Sequence, residues 1–148
     1  ANLLPEKVHA TFVEVEGLGV LLRGPAGSGK SDLALRLIDS GERLVADDYT
    51  SVEIENNRLM ARAPQSIEDL MEVRGVGVLK IGSAVKAEVG VVIDLVSSDQ
   101  VERLPEDETV EFLGKQVPLF RLAPYEASAP AKVRLVVRRV KGDIMHVP

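Results

Sequence analysis

Residues 24–31 read GPAGSGKS and complete the pattern G-x-x-x-x-G-K-S, in which each residue type has a physical use at its position. Gly27 and Gly29 let successive backbone N–H groups turn toward phosphate oxygens. Lys30 brings a point charge to a transferable phosphoryl group, and Ser31 offers a hydroxyl to a magnesium ion. Gly24, Pro25, Ala26 and Ser28 complete a candidate nucleotide-phosphate cradle, with Lys30 expected at an exposed loop position. A surface turn carrying an incidental lysine is the alternative, and the neighbours must decide.

Carboxylates supply the second half of such chemistry. RLVADD, residues 43–48, has the form of a short buried strand that delivers Asp47 and Asp48 to its C-terminal end. Adjacent residues there point in opposite directions, so the two acids are expected to hold different roles. One can face a metal and phosphate or accept a hydroxyl proton while the other orients a neighbour; a pair of helix-capping or turn aspartates is the structural alternative. VVID at 91–94 makes Asp94 a rival metal-strand acid, although the apolar run continues past it and places it inside a strand. Glu72 and Arg74 precede Gly75-Val76-Gly77, where glycines permit a tight turn or close approach to a ligand. Glu72 can coordinate magnesium and Arg74 can contact phosphate; a structural ion pair beside the turn is the alternative.

The elements around these residues occur in phosphate-cradle order. ATFVEVEGLGVLLRG reads as two strands around Glu16-Gly17, the second running into the glycine-rich loop. SDLALRLIDSG then spaces Leu33 and Leu37 as on a helix that stops at Gly41, and a helix beginning near Ser31 adds its positive end to the cradle. SVEIENNRLMA predicts a hairpin turning at Asn56-Asn57. Ser66, three residues before Asp69, predicts a capped short helix carrying Ile67, Leu70 and Met71. EFLGKQVPLFRLAP predicts two short strands interrupted by Gly114 and Pro118. After them, Val133, Val136, Val137 and Val140 follow Ser128 and Pro130 at helical spacing, with a strand in competition because valine is β-branched.

A chain of 148 residues with 45% apolar content can bury one sizeable core, and a single domain over 1–148 is expected. Its 23 acidic against 18 basic residues give a net charge of −5, so no broad basic surface recommends nucleic acid. The absence of cysteine excludes disulfide and thiol chemistry. No apolar run approaches the ~18 residues that cross a bilayer, and the first residues lack a signal-peptide pattern, so no membrane partner and a cytoplasmic location are expected. A GTPase would need a guanine-reading N-K-x-D segment, which the sequence lacks.

VHATFVEVEGLGVLLRGPAGSGKSDLALRLIDSGERLVADD followed by EVRGVG resembles the catalytic domain of HPr kinase/phosphorylase, the bacterial enzyme that phosphorylates a serine of the phosphocarrier protein HPr. The resemblance covers nearly the whole chain and is strongest from His9 to Gly77. It implies an α/β fold: a P-loop-containing HPr kinase C-terminal catalytic domain, related to the nucleotide-binding region of phosphoenolpyruvate carboxykinase. It also implies ATP and Mg2+ as cofactors, an HPr or HPr-like partner, and a homo-oligomer of the kind that forms hexamers. The chain resembles the short alphaproteobacterial-like forms without the family's N-terminal domain. By motif, Lys30 is similar to the nucleotide-phosphate lysine, Ser31 and Glu72 to the magnesium residues, and Asp48 to the acid-base aspartate, with Asp47, Arg74, Gly75 and Gly77 supporting. His9, in VHATF, stands where the family has an active-site histidine, although Ala10 follows where glycine is usual. Arg103, in VERL, matches a catalytic arginine over a short stretch. Family members also place a helix over the valine-rich C-terminal segment, which selects the helix there.

One loop departs from the family. Many members carry a proline-glycine-arginine-asparagine motif associated with dephosphorylation by inorganic phosphate, forming pyrophosphate, whereas this chain has APYEASAPAK. Lys132 supplies a charge there but not arginine's rigid fork. Kinase activity is therefore expected to exceed phosphorylase activity. A P-loop small-molecule kinase and a noncatalytic nucleotide-binding regulator are the alternatives that share the cradle.

Overall fold

The computed structural model describes residues 4–65, 68–82 and 84–148. Two strands of 10 residues each, β1 (Glu6–Val15) and β8 (Lys86–Leu95), organise the fold because each belongs to two layers. The first residues of β1 pair with β4 (Tyr49–Glu55). Its later residues pair with β2 (Leu18–Arg23) on one edge and β3 (Arg43–Ala46) on the other. Residues 86–88 of β8 likewise pair with β5 (Arg58–Arg62), whereas its later residues run parallel to β2 and to β10 (Lys115–Leu122). Because β4 also pairs with β5, the path β1–β4–β5–β8–β2 closes on itself. β9 (Glu108–Phe112) completes the outer edge beside β10. A separate hairpin joins β6 (Leu70–Val73) to β7 (Gly77–Lys80).

The period-2 alternation of strands divides the apolar side chains between two cores. Phe12, Leu21, Val52, Ala61 and Val92 fill the closed strand path. Val13, Val20, Leu22 and Ile93 face the opposite way, onto Leu33 and Leu37 of α1 (Lys30–Asp39) and Val133 and Val137 of α2 (Ala129–Lys141). In β8 the alternation changes phase. Gly19 lies opposite Val89 and Val20 opposite Val91, leaving Gly90 as an extra residue. Up to that bulge Ala87 and Val89 point into the strand-enclosed core; beyond it Val91, Ile93 and Leu95 point to the helices. The inserted glycine thus sets which residues of β8 face which core.

The two-residue turns Glu16-Gly17 and Asn56-Asn57 have positive φ at both positions, the geometry that matches the twist of tight hairpins. The valine-rich segment forms the helix that the family resemblance selects over a strand; α2 ends at Gly142 with φ 81 and carries Arg138, Arg139 and Lys141 in its last turn, where cations are favoured by the helix dipole. Arg138 donates to both carboxylate oxygens of Glu16 at 3.1 and 2.8 Å, pinning α2 to the first hairpin. Those hydrogen bonds hold the Glu16 carboxyl below its ordinary pKa.

Two expectations are corrected. Leu70 and Met71 lie on β6 rather than on a helix, while Ser66 and Ile67 fall outside the described residues. Pairing with β7 alternates the segment, burying Met71 and exposing Leu70 and Glu72. Pro118 does not interrupt β10: parallel pairing with β8 begins only at Leu119, so the missing N–H falls where β10 has β9 alone as neighbour.

Gly19 of β2 is closely wedged between β1 and β8. A Cβ there would stand 2.2 Å from the Phe12 ring and 2.3 Å from the Glu88 carbonyl oxygen, which is backbone and cannot rotate away. Gly19→Ala should therefore lower unfolding free energy by about 1–3 kcal/mol or more, read as a lower denaturant midpoint. An unchanged midpoint would mean that the layers are not locked at this crossing.

Candidate active site

β2 delivers the chain into the glycine-rich loop, and α1 leaves it at Lys30. Gly27 and Gly29 take φ values of 79° and 97°, a conformation that turns their N–H groups without steric cost. Lys30 is only 6% exposed, which corrects its expected exposure. Its Nζ donates to the carbonyls of Gly24 at 2.7 Å and Pro25 at 3.1 Å, leaving one of three N–H donors for a phosphate oxygen. The Ser28 hydroxyl is buried without a partner among the described residues, so the loop contains a polar group that a ligand or water can satisfy.

β3 brings the two aspartates beside this loop, and they diverge. Asp47 is buried and its Oδ1 accepts hydrogen bonds from Ser31 Oγ at 2.8 Å and Thr11 Oγ1 at 3.2 Å. Asp48 is exposed and points to His9, whose Nε2 lies 3.0 Å from its Oδ1. An ionised carboxylate only accepts, so Nε2 carries the proton of this bond. The Tyr49 N–H donates to the Asp47 carbonyl at 2.7 Å, closing a three-residue turn about Asp48, whose φ is 68°. Such a conformation is strained for a residue with a side chain and persists when surrounding contacts impose it. Here the Asp48 N–H donates to Thr11 Oγ1 at 3.2 Å.

A cleft of about 570 Å³ connects these parts, with Lys30, Ser31, Asp47 and Asp48 on one wall and Glu72 and Arg74 on the other. Gly75, with φ 88°, turns the β6–β7 hairpin just beyond Arg74, and Gly77 starts β7. For a magnesium ion the donors are of the right kind. Ser31 keeps lone pairs free while donating to Asp47, Asp47 Oδ2 has no described partner, and Glu72 is exposed to the same cleft. No group of three or more His, Cys, Asp and Glu is poised as a metal cage among the described residues. Magnesium does not require one, since it binds commonly through one or two carboxylates together with substrate phosphates and water.

Arg103 stands exposed in the loop between β8 and β9 and does not line the cleft. A second cavity of about 350 Å³ beside that loop offers one cation, Arg121, already bound to Glu108. Asp94, the rival acid, has both its oxygens held by Arg23 at 2.7 and 3.0 Å and does not line the cleft. Sequence reasoning passed over Thr11 and Arg36. Arg36 of α1 pairs with Asp32 four residues earlier and donates to the carbonyls of Pro124 and Glu126, fastening the divergent loop to the helix. The Asp32–Arg36 spacing is the one signal that could have marked it. Lys132 lies on α2 rather than in the loop, 3.6 Å from Glu126, which faces its charge.

Thr11 is fully buried, and its hydroxyl joins both aspartates to β1. Thr11→Val keeps the shape but strands the Asp48 N–H and removes a donor from Asp47. Stability should fall by about 1–3 kcal/mol, and turnover should fall at saturating nucleotide. Thr11→Ser should recover both. Equal turnover in the valine variant would show that the hydroxyl does not position the acids.

Comparison with known proteins places this geometry among relatives. Residues 3–133 match the family model described as the HPr Serine kinase C-terminal domain. The HPr kinase/phosphorylase of Bordetella avium (strain 197N) is 41% identical over 154 aligned positions, which cover 95% of this chain and 49% of that protein. The HPr kinase/phosphorylase of Lactobacillus acidophilus is 37% identical over 123 positions, covering 75% of this chain and 38% of the relative. The chain thus spans under half the length of these curated relatives. The solved structure of the Hpr(Ser) kinase/phosphatase from Coxiella burnetii superposes with a TM-score of 0.83 at 28% identity, over 93% of this chain and 92% of that one. A family match across the phosphate loop, both aspartates and the β6–β7 hairpin, carried by the same fold, means that this chain belongs to the HPr serine kinase C-terminal domain family.

Proposed function

We propose that this chain is the catalytic domain of a cytoplasmic, ATP- and magnesium-dependent serine kinase whose substrate is HPr or an HPr-like regulatory paralogue. The observation that carries the reading is the joining of cradle and acids. Ser31 at the start of α1 is hydrogen-bonded to Asp47, while the adjacent Asp48 turns toward His9 and the open cleft.

The backbone of Gly24–Ser31 and the α1 N-terminus hold the donor's phosphates, and the remaining Lys30 N–H meets an oxygen of the transferring group. A bound magnesium ion, held through Ser31 and Asp47 with Glu72 facing it, would supply positive charge against the β- and γ-phosphates. Asp48 takes the proton from the incoming serine hydroxyl as that oxygen bonds to the γ-phosphorus. The bond from the γ-phosphorus to the bridging oxygen breaks, and ADP leaves with the electron pair. His9 orients the receiving carboxylate through its Nε2–H. Positioning and fixed charge of this kind supply most of the rate in phosphoryl transfer.

Asp48→Asn keeps the shape of the side chain but removes proton acceptance. Phosphorylation of a purified HPr-like protein should fall more than about 100-fold, while calorimetry shows a smaller change in ATP affinity. Full activity would reject Asp48 as the base, and loss in Asp47→Asn alone would exchange the two roles.

In the reverse chemistry, an oxygen of inorganic phosphate bonds to the phosphoserine phosphorus, the phosphorus–oxygen bond to serine breaks, and the serine oxygen takes a proton from Asp48 as pyrophosphate is formed, so two anions must be held together. The divergent loop offers them no free fork: Arg36 is bound to carbonyls and Lys132 faces Glu126. With phosphorylated partner, magnesium and millimolar phosphate, pyrophosphate formation should be much slower than the forward reaction. Stoichiometric pyrophosphate at a comparable rate would overturn this expectation.

A further inference from the structure

The loop that replaces the family's proline-glycine-arginine-asparagine motif places one side chain over the phosphate cradle. Tyr125 is the only aromatic residue lining the cleft among the described residues, and it remains 69% exposed. Its hydroxyl donates to the Gly27 carbonyl at 3.4 Å. A Cβ built on Gly29 would stand 3.1 Å from the ring carbon that bears the hydroxyl and 3.0 Å from Pro124. One edge of the ring therefore rests on the cradle while much of its surface is open to the cleft. The loop beneath it is fixed, because Arg36 donates to the carbonyls on either side of Tyr125, those of Pro124 and Glu126, and Asp32 holds Arg36 from one turn earlier.

A ring anchored at its phenol end, unpaired on its face and touching the loop that takes phosphates has a shape suited to a flat ligand group joined to those phosphates. We propose that Tyr125 forms the base subsite of this chain: its ring stacks on the nucleobase of the donor nucleotide while Gly27–Ser31 hold the phosphates. The inference rests on the nucleotide-binding reading above and adds to it where the nucleoside half of the donor lies. Stacking uses the π-face that every base possesses, so the subsite favours nucleotides over bare polyphosphates without selecting adenine from guanine. Tyr125 contacts substrate in this assignment but moves no proton.

The test compares ligands that share phosphates and differ in the base. Calorimetry is run on the whole chain with magnesium and either the nonhydrolysable ATP analogue AMPPNP or inorganic tripolyphosphate, for the native protein, Tyr125→Ala and Tyr125→Phe. The alanine variant should bind AMPPNP about tenfold or more weakly and tripolyphosphate within about twofold of the native protein, and the phenylalanine variant should retain both. GMPPNP should lose affinity in parallel with AMPPNP. Equal losses for AMPPNP and tripolyphosphate in Tyr125→Ala would overturn the inference, since the ring would then be shaping the cradle. Unchanged AMPPNP binding, or a loss in Tyr125→Phe as large as in Tyr125→Ala, would overturn it as well. A native protein that binds neither ligand refutes the phosphate-cradle reading itself and this inference with it, whereas native binding of both with an unchanged ratio in the alanine variant refutes only the subsite.

Discussion

The site depends on one buried hydrogen-bonded chain, in which Ser31 of α1 and Thr11 of β1 both donate to the Asp47 carboxylate at the end of β3. A buried carboxylate is costly unless its oxygens are satisfied, and in a low-dielectric setting each missing donor costs more than it would in water. Two hydroxyls, from α1 and from β1, meet that cost at Oδ1 and leave Oδ2 as the oxygen open to a ligand. The helix that begins the cradle is thereby registered against the strand that carries the acids. Asp48 inherits its place from the same arrangement, since Thr11 also accepts its N–H and the turn back to Tyr49 leaves its side chain facing His9.

The two cores make that registration rigid. β1 supplies Phe12 to the core enclosed by strands and Val13 to the core beneath the helices, so the residues immediately after Thr11 are held from both faces. β8 does the same on the far side of β2, with the Gly90 bulge setting which residues face which core. The phosphate loop thus leaves a strand flanked by two members that belong to both layers, and a loop emerging from such a strand has little freedom at its base. Arg23, its last residue, is further tied across to Asp94 on β8. The acid that competes on sequence for a metal therefore anchors the cradle instead.

Legibility in the sequence followed the range of the forces involved. The cradle and α1 were readable because GPAGSGKS specifies backbone conformation residue by residue, and both hairpin turns were readable from Glu16-Gly17 and Asn56-Asn57. RLVADD declared its strand through its apolar run, but the divergence of its acids, expected from strand alternation, comes from the turn about Asp48 just past the end of β3. β6 was misread because Ile67, Leu70 and Met71 satisfy helical spacing, while Met71 and Val73 equally satisfy a strand; only pairing with β7 decides. Thr11 gave no sign, since a threonine in a strand is explained by β propensity, and its polar role exists only once β3 lies alongside. Arg103 and Tyr125 both sit in loops, whose paths are set by distant contacts, so adjacency in sequence could neither exclude the first from the cleft nor bring the second into it.

The charges collected at the cleft decide what form of ligand it can accept. Its lining carries Asp32, Asp47, Asp48 and Glu72 against Lys30 and Arg74, four carboxylates to two cations. Arg36 answers Asp32, which still leaves three facing two. Lys30 is partly occupied with loop carbonyls, and Arg74 stands exposed on a hairpin where solvent screens it. A bare polyphosphate entering this cleft meets carboxylates close to the position its outer phosphates must take, and backbone dipoles alone offer only fractional charge against them. The same carboxylates become an advantage once a divalent cation accompanies the phosphates, since oxygen donors without a preformed cage suit an ion that keeps water and substrate in its coordination shell. In the proposed reaction the cleft's own charge balance therefore calls for a metal ion, and the reading gives one aspartate to that ion while its neighbour stays free for the proton.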